Sequence, residues 1–173
     1  MTERNRIIEG ERVYLREMTV EDTSDIVRWR NAPHVVKNFI YRKPLTNEDH
    51  LNWIKNKVET GLVRQFVICL KENDRGFGSI YFRDIDNENH TCEFGIFIGE
   101  AEMAGKGYGY EAQKLSMDVV FGEMNMKEVH LRVLSENKAA IRNYEKCGFI
   151  LIEGEEDYTE DGEKILFMKA KRS

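Results

Sequence analysis

The residues of this chain that are best suited to chemistry lie in a glycine-rich segment near its middle. An apolar run over residues 92–99 leads through a short loop into Ala104-Gly105-Lys106-Gly107-Tyr108-Gly109-Tyr110. Glycine allows positive φ and lets a ligand approach the backbone closely. A helix that begins here would offer unpaired N–H groups and the positive end of its dipole. The segment therefore predicts a backbone cradle over residues 104–110 for a phosphate or pyrophosphate group.

Two well-known phosphate-binding motifs do not fit this segment. A P-loop needs G-x-x-x-x-G-K-[ST], but Gly107 follows Lys106, and Glu100 stands where the first glycine belongs. A Rossmann fingerprint needs G-x-G-x-x-G in an early strand–helix–strand unit, whereas these glycines alternate and lie in the middle of the chain, after an antiparallel meander of candidate strands. Two alternatives stay open: a tight structural loop, and the phosphate cradle of another family.

A carboxylate lies inside the apolar run that precedes the glycines. Alternation over residues 92–98 places Glu93 on one face of a strand, opposite a face made of apolar side chains. Burial in so apolar a strand would make the carboxyl a stronger proton acceptor. The alternative is a solvated residue at the end of a strand. Glu93 is therefore a candidate general base.

The elements that would position these residues predict an α/β fold. The patterns indicate seven strands, over 13–17, 64–71, 78–82, 91–99, 129–134, 149–152 and 164–169, and four helices, over 21–29, 46–58, 108–119 and 137–147. The order βααβββαβαββ predicts a mixed, mostly antiparallel sheet with one strand–helix–strand crossover. We expect an irregular stretch over residues 31–45 and an acidic turn over residues 153–163.

Composition narrows the functional classes. The 173 residues suit one domain over 1–173, and a net charge of −5 disfavours a nucleic-acid binder. The longest strongly apolar run, 66–70, is far shorter than the ~20 residues that a membrane helix needs. Three scattered Cys and four His lack metal-ligand spacing, so we expect no metal and no disulfide framework. The charged first twenty residues lack a signal-peptide core, so we expect a cytoplasmic protein.

Two segments resemble the GNAT superfamily of N-acetyltransferases. Its motif A, [QR]-x-x-G-x-[GA], follows the fourth strand; Gly107 and Gly109 match its glycines, while Ala104 stands where the family prefers Gln or Arg. Its motif B, N-x-x-A-x-x-x-Y-x-[KR]-x-G-F, matches from Asn137 to Phe149 at every hallmark. The resemblance spans nearly the whole chain. It implies a single-domain GNAT fold with a splay between the fourth and fifth predicted strands.

The resemblance implies direct transfer of an acetyl group from acetyl-CoA to a primary amine. The pyrophosphate would lie on residues 104–110, and the loss of the side chain at Ala104 would weaken binding without abolishing it. The pantetheine arm would pair with the backbone of Phe97, Ile98 and Gly99, where an N–H group would bind the oxyanion. Asn137 would contact the cofactor, cap its helix, or do both. Tyr144 would donate to the leaving thiolate, or would be a core aromatic residue; Glu93 matches the family's base.

The acceptor side is expected around the stretch over residues 31–45. The candidates for acceptor binding, for which an ordinary surface loop is the alternative, are Trp29, Arg30, Asn31, His34, Tyr41 and Arg42. The amino-terminal half resembles the branch of ribosomal-protein-alanine, spermidine and nucleotide-amino-sugar acetyltransferases. Trp29-Arg30-Asn31 with the later His50 and Trp53 most resembles the amino-sugar group.

Charge supports a small, anionic acceptor. Arg30 and Arg42 would meet a phosphate, because guanidinium groups match phosphate oxygens. A polyamine would need acidic residues, and residues 29–46 contain neither Asp nor Glu. We therefore expect a nucleotide-linked amino sugar or a similar small molecule. A polyamine acceptor, a protein N-terminus and a non-enzymatic acyl-CoA sensor or interaction module remain alternatives, and a homodimer is left open.

Overall fold

One eight-stranded sheet forms the centre of the computed structural model, which describes residues 6–173. Its strands are β1 (Arg6–Glu9), β2 (Val13–Glu17), β3 (Arg64–Leu70), β4 (Gly76–Asp86), β5 (Thr91–Ile98), β6 (Glu128–Leu134), β7 (Ile150–Tyr158) and β8 (Lys164–Lys171). They lie in the order β1-β2-β3-β4-β5-β6-β8-β7. Neighbours β5 and β6 are parallel, and the other neighbouring pairs are antiparallel. The predicted mixed, mostly antiparallel sheet is confirmed.

Five α-helices of the described residues surround the sheet, and two of them begin at residues whose side chains cap the helix. They are α1 (Thr23–Asn31), α2 (Pro33–Val36), α3 (Asn47–Trp53), α4 (Tyr108–Asp118) and α5 (Lys138–Lys146). Wider π-helical turns extend α3 through Ile54–Val58 and α4 through Val119–Glu123. A reciprocal capping box starts α3, since the Thr46 hydroxyl accepts from the Asp49 N–H at 3.0 Å and the Asp49 carboxylate accepts from the Thr46 N–H.

The sheet carries an apolar cluster on each face. Along β5, Phe94 belongs to the cluster that packs with α4 and α5, whereas Phe97 belongs to the cluster that includes Trp29 of α1. This is the alternation of a strand that is buried on both faces. Among residues 6–173, no helix is long and apolar enough to cross a membrane.

The predicted element order is confirmed, and the structure adds three features. Strand β1 was not predicted, because four residues show little alternation. The predicted irregular stretch contains α2, whose first position is Pro33, where the fixed φ of proline suits a helix. The predicted acidic turn is wrong over most of its length, because β7 continues to Tyr158. Side chains along this edge strand are mostly exposed, so backbone pairing with β8 defines it rather than a hydrophobic pattern.

Strands β5 and β6 separate soon after they meet. They pair at only three positions, Thr91 with Glu128, Cys92 with Val129 and Glu93 with His130. Beyond Glu93, β5 runs on to Ile98 without a partner on β6. The predicted splay is confirmed and lies between these two strands.

A close contact fixes the end of β5 against α1. The Trp29 side chain is buried, and a Cβ atom on Gly99 would lie 2.0 Å from its Cγ atom. The indole N–H of Trp29 donates to the Glu100 carboxylate at 2.9 Å, one residue further along. Glycine at position 99 therefore serves the packing of Trp29.

Gly99→Ala is expected to lower the free energy of unfolding by about 1–3 kcal/mol, because the added methyl group would displace the ring of Trp29. Urea denaturation measures the change. Gly122→Ala is the matched control, because no atom lies within 4 Å of a Cβ atom there and its φ is not positive. We expect the control to be as stable as wild type or more stable by up to about 1 kcal/mol, because Gly122 lies in a helical turn, where alanine is favoured over glycine. Equal stabilities of the two variants would contradict this packing.

Candidate active site

A cavity of about 670 Å³ lies where β5 and β6 separate. This is within the range of roughly 300–1,000 Å³ that small-molecule sites occupy. The residues around it come from α1 to α3 and the loop before α3, from β3 to β6, and from α4 and α5. Ten predicted site residues line it: Arg30, His34, Tyr41, Glu93, Phe97, Ile98, Ala104, Gly109, Asn137 and Tyr144.

The glycine-rich turn has the backbone conformation that its sequence predicts. Gly105 and Gly107 have φ angles of 75° and 82°, which side chains rarely allow. Helix α4 begins directly after Gly107, so its first N–H groups are free of helical partners. The Tyr108 ring packs on Phe77 at 5.6 Å between centroids, away from the cavity lining. The turn therefore offers backbone groups, rather than side chains, to an anion.

Backbone groups at the end of β5 point alternately to two sides. The Gly99 N–H donates to the Phe77 carbonyl on β4 at 2.8 Å. By strand alternation Phe97 also turns its backbone groups toward β4, while Ile96 and Ile98 turn theirs toward the gap. The Ile98 carbonyl accepts from His34 Nε2 at 3.1 Å. Of the three residues predicted to pair with pantetheine, only Ile98 thus turns its backbone groups toward the gap. The backbone groups of Phe97 and Gly99 are turned toward β4.

Tyr144 of α5 borders the gap on the face of the sheet that packs with α4 and α5. It is 8% exposed and packs edge-on against Phe94 and Phe149, with ring centroids 6.0 and 5.9 Å away. Among the described residues, none is hydrogen-bonded to its hydroxyl. Burial raises the pKa of Tyr144 well above its ordinary value. The phenol therefore stays protonated at neutral pH and can donate a hydrogen bond into the cavity.

Glu93 is held by two arginines at the point where the strands separate. Its Oε2 atom lies 3.1 Å from Arg132 Nη2 and 3.3 Å from Arg83 Nε. A general base must accept a proton. Protonation would neutralise the Glu93 carboxylate and so remove its ion pairs with Arg83 and Arg132. The geometry favours a charge-pairing role for Glu93 over the predicted role as base.

Arg30 presents a cation to the cavity without a protein counter-ion. Its guanidinium carbon lies 4.0 Å from the centroid of the Phe39 ring. Within residues 6–173 no carboxylate lies at ion-pair distance from it. Burial lowers the pKa of Arg30 from its ordinary high value, although the side chain stays charged at neutral pH. A half-buried charge of this kind is costly unless an anion compensates it.

Three other predicted acceptor residues do not line the cavity. Trp29 is a core residue. Asn31 exchanges two hydrogen bonds with the backbone of Leu45, at 2.7 and 2.8 Å, and so closes the loop over residues 31–45. Arg42 donates to two carbonyls of that loop and pairs with Asp161 and Glu163 on the β7–β8 turn. These side chains are engaged in structural contacts, because each stabilises the loop or the core.

The other two residues that carry the amino-sugar resemblance, His50 and Trp53, also line the cavity. Buried His50 has its Nδ1 atom 2.9 Å from the Thr23 hydroxyl, and burial lowers the pKa of this imidazole. The Trp53 indole N–H donates to Gln65 at 3.1 Å. Both residues thus fasten α3 to its neighbours, α1 and β3.

Sequence reasoning missed four residues that surround the site. Arg83 and Arg132 pair with Glu93, and Arg12 pairs with Glu111 beside the glycine turn. Of these four residues, only Glu111 carried a local signal in the sequence, because acidic residues are favoured in the first turn of a helix. The other three depend on contacts between distant parts of the chain.

Comparison with known proteins identifies related sequences and folds. Residues 12–150 match the family model "Acetyltransferase (GNAT) domain". Spermidine N(1)-acetyltransferase of Escherichia coli K12 is 38% identical over 145 residues, which cover 83% of this chain and 75% of that protein. The uncharacterized protein MJ1062 of Methanocaldococcus jannaschii is 30% identical over 83% of this chain, but the match spans only 29% of its own length.

A solved structure has the same fold. Spermidine N-acetyltransferase of Vibrio cholerae, crystallised with CoA and spermine, superposes with a TM-score of 0.83 at 21% identity. The match covers 92% of this chain and 95% of that one.

Proposed function

Because the chain belongs to the GNAT acetyltransferase family and is thus an acetyltransferase, we propose that it moves the acetyl group of acetyl-CoA directly to a primary amine of a small molecule. One observation carries the proposal: a single cavity in the β5–β6 gap is lined by Ala104 and Gly109 from the two sides of the glycine turn, by Tyr144 and by Arg30. Such a site must hold the thioester beside the amine, accept a proton from the ammonium and stabilise the oxyanion and thiolate.

The chain offers backbone groups for the cofactor. The N–H groups over residues 104–110 bind the pyrophosphate, and the backbone of Ile96 with the N–H of Ile98 pairs with the amides of the pantetheine arm. Asn137 already caps α5 by accepting from the Ala140 N–H at 3.4 Å, and it also lines the cavity. Both roles of Asn137 are therefore compatible. Bound acetyl-CoA supplies the activated acetyl group as a thioester.

Two groups act on the reacting atoms. The N–H of Ile98 or Ile96 donates to the oxyanion that develops as the amine attacks the carbonyl carbon. Tyr144 holds a proton on its phenolic oxygen and donates it to the sulfur as the carbon–sulfur bond breaks. Arg132, which also lines the cavity, lowers the pKa of an ammonium group held near it, because like charges disfavour its charged form. Before the attack, solvent water accepts the ammonium proton, and Glu93 keeps Arg132 in place. As the amide forms, the second N–H proton of the attacking nitrogen passes to the Tyr144 phenolate and restores the phenol.

The charge of the cavity supports an acceptor with an anionic group. Among the charged lining residues, Arg30, Lys37, Arg83 and Arg132 outnumber Asp49 and Glu93. The unpaired guanidinium of Arg30 matches a phosphate, since two of its N–H groups can meet two oxygens. We therefore favour a nucleotide-linked amino sugar or a similar small molecule as the acceptor.

A polyamine is the second candidate. The relative with 38% identity is named a spermidine acetyltransferase, and Asp49 and Glu93 offer two carboxylates to the cavity. Both are engaged, however: Asp49 caps α3, and Glu93 pairs with two arginines. A free cation at Arg30 would repel a polycation. A protein N-terminus remains an alternative acceptor, and a homodimer and a cytoplasmic location stay predictions.

An acceptor screen tests the proposal. Release of free thiol from acetyl-CoA is followed with nucleotide amino sugars, spermidine, Ala- or Ser-terminated peptides and aminoglycosides. We expect turnover to be fastest with the nucleotide amino sugars. Turnover of spermidine alone would reject the anionic acceptor and leave the acetyltransferase in place. CoA binding without turnover of any acceptor would favour the sensor.

Tyr144→Phe is expected to lower kcat by roughly 10²–10⁴-fold, because the thiolate would leave without a proton donor. The Kd for CoA should change by less than about twofold, since the hydroxyl acts mainly as the thiolate develops. Steady-state kinetics and calorimetry measure the two constants. Tyr158→Phe is the matched control, because Tyr158 is 55% exposed on β7. A kcat for Tyr144→Phe within about twofold of wild type would show that the ring only packs.

Arg30→Gln is expected to raise the KM for an anionic acceptor by more than about tenfold while leaving the KM for acetyl-CoA nearly unchanged. The reason is that the variant removes the unpaired cation and keeps a side chain of similar length. Initial-rate kinetics give both constants. Arg172→Gln, at an exposed position near the end of the chain, is the control. An improved KM for spermidine in Arg30→Gln would support the same charge argument, and equal KM values for the anionic acceptor would contradict it.

A further inference from the structure

The hairpin of β1 and β2 is tied to the first turn of α4 by one carboxylate. Glu111 Oε2 accepts from the backbone N–H groups of Arg12 and Val13, at 2.7 and 3.0 Å. Its Oε1 atom accepts from Arg12 Nε at 2.9 Å. Three donors from the hairpin thus converge on one side chain of the helix that the glycine turn begins.

Arg12 continues from this carboxylate to the glycine turn itself. Its Nη1 atom donates to the Lys106 carbonyl at 3.0 Å, and its guanidinium carbon lies 4.6 Å from the centroid of the Tyr108 ring. Its Nη2 atom would lie 3.2 Å from a Cβ atom on Gly107. Arg12 therefore contacts the turn on both sides of the left-handed residue at position 107.

The hairpin turn is shaped to receive the carboxylate. A Cβ atom on Gly10 would lie 2.7 Å from Glu111 Oε2 and 3.3 Å from the Val13 carbonyl. The Gly10 N–H donates to that carbonyl at 2.8 Å, which closes the turn between β1 and β2. A side chain at position 10 would therefore displace Glu111.

The pair also balances charge beside the anion cradle. Burial opposes ionisation of Glu111, but the hydrogen bonds from Arg12 and Val13 outweigh it and hold the pKa of this carboxyl below its usual value. A lone carboxylate in the first turn would repel a bound phosphate. Arg12 compensates that charge, while Ala104 contributes no polar side chain to the cradle.

We propose that Arg12 and Glu111 are positioning residues that hold the turn over residues 105–109 in its anion-binding conformation and so set the affinity for the phosphates of CoA. The inference rests on the proposed function. A turn that is already fixed loses less conformational entropy when a ligand binds. The amino-terminal hairpin is thereby part of the cofactor site, although neither residue lines the cavity.

Glu111→Gln tests the inference against Glu123→Gln. Glu123 lies at the other end of the same helical segment and pairs with Arg64 at 3.0 Å, so its loss removes an equivalent charge away from the turn. Calorimetry with CoA and kinetics with acetyl-CoA are the readouts. We expect Glu111→Gln to raise the Kd and the KM for acetyl-CoA by about tenfold or more, with kcat within about threefold. Glu123→Gln should stay within about twofold in each constant.

Arg12→Lys provides a second test that preserves the charge. Lysine cannot bond Glu111 and the Lys106 carbonyl together, so CoA should bind at least about fivefold more weakly, and amides over residues 104–110 should exchange faster with deuterium. This variant decides the matter if Glu111→Gln does not fold. CoA affinity within about twofold of wild type in the folded variants would overturn the inference and leave the proposed function standing. If the wild-type protein bound no CoA, the inference and the proposed function would both fail.

Discussion

The ladder between β5 and β6 ends after three residue pairs, and the site depends on that ending. Backbone N–H and C=O groups are obligatory hydrogen-bonding groups, and inside a protein nearly all of them find partners. Past Glu93, the groups of β5 that point away from β4 have no partner on β6. One of them, the Ile98 carbonyl, accepts from His34. The others face a cavity, where a ligand with amide groups can pair with them as a strand would.

Packing on both sides keeps the strands apart. Tyr144, Phe94 and Phe149 form an aromatic cluster beneath the gap, with centroids about 6 Å apart. On the opposite face, Trp29 presses on Gly99 and fixes the direction in which β5 ends. The ion pairs of Glu93 with Arg83 and Arg132 mark the last paired position. Closure of the gap would require all these contacts to rearrange, so the opening is a built feature of the fold.

The glycine turn and the helix of Tyr144 could be predicted from the sequence because their signals are local. Positive φ at Gly107 and the cap at Asn137 are properties of a few adjacent residues. The extension of β7 could not be predicted, because the exposed edge strand carries no alternation. The roles of Trp29 and Arg42 depend on Glu100 and Glu163, which are distant in sequence, so no spacing rule reveals them. The partners of Glu93 depend in the same way on strand register.

Calorimetric titration of CoA into Gly107→Glu tests most directly whether this gap and the glycine turn bind acetyl-CoA. The variant places a negative charge and a side chain in the cradle. Gly162→Glu, on the β7–β8 turn, is the matched control, because its φ of 85° imposes similar backbone strain outside the glycine turn. The account predicts that Gly107→Glu binds CoA more than about tenfold more weakly, a loss of about 1.4 kcal/mol, and that the control binds normally. Wild-type affinity in a folded Gly107→Glu protein would contradict it.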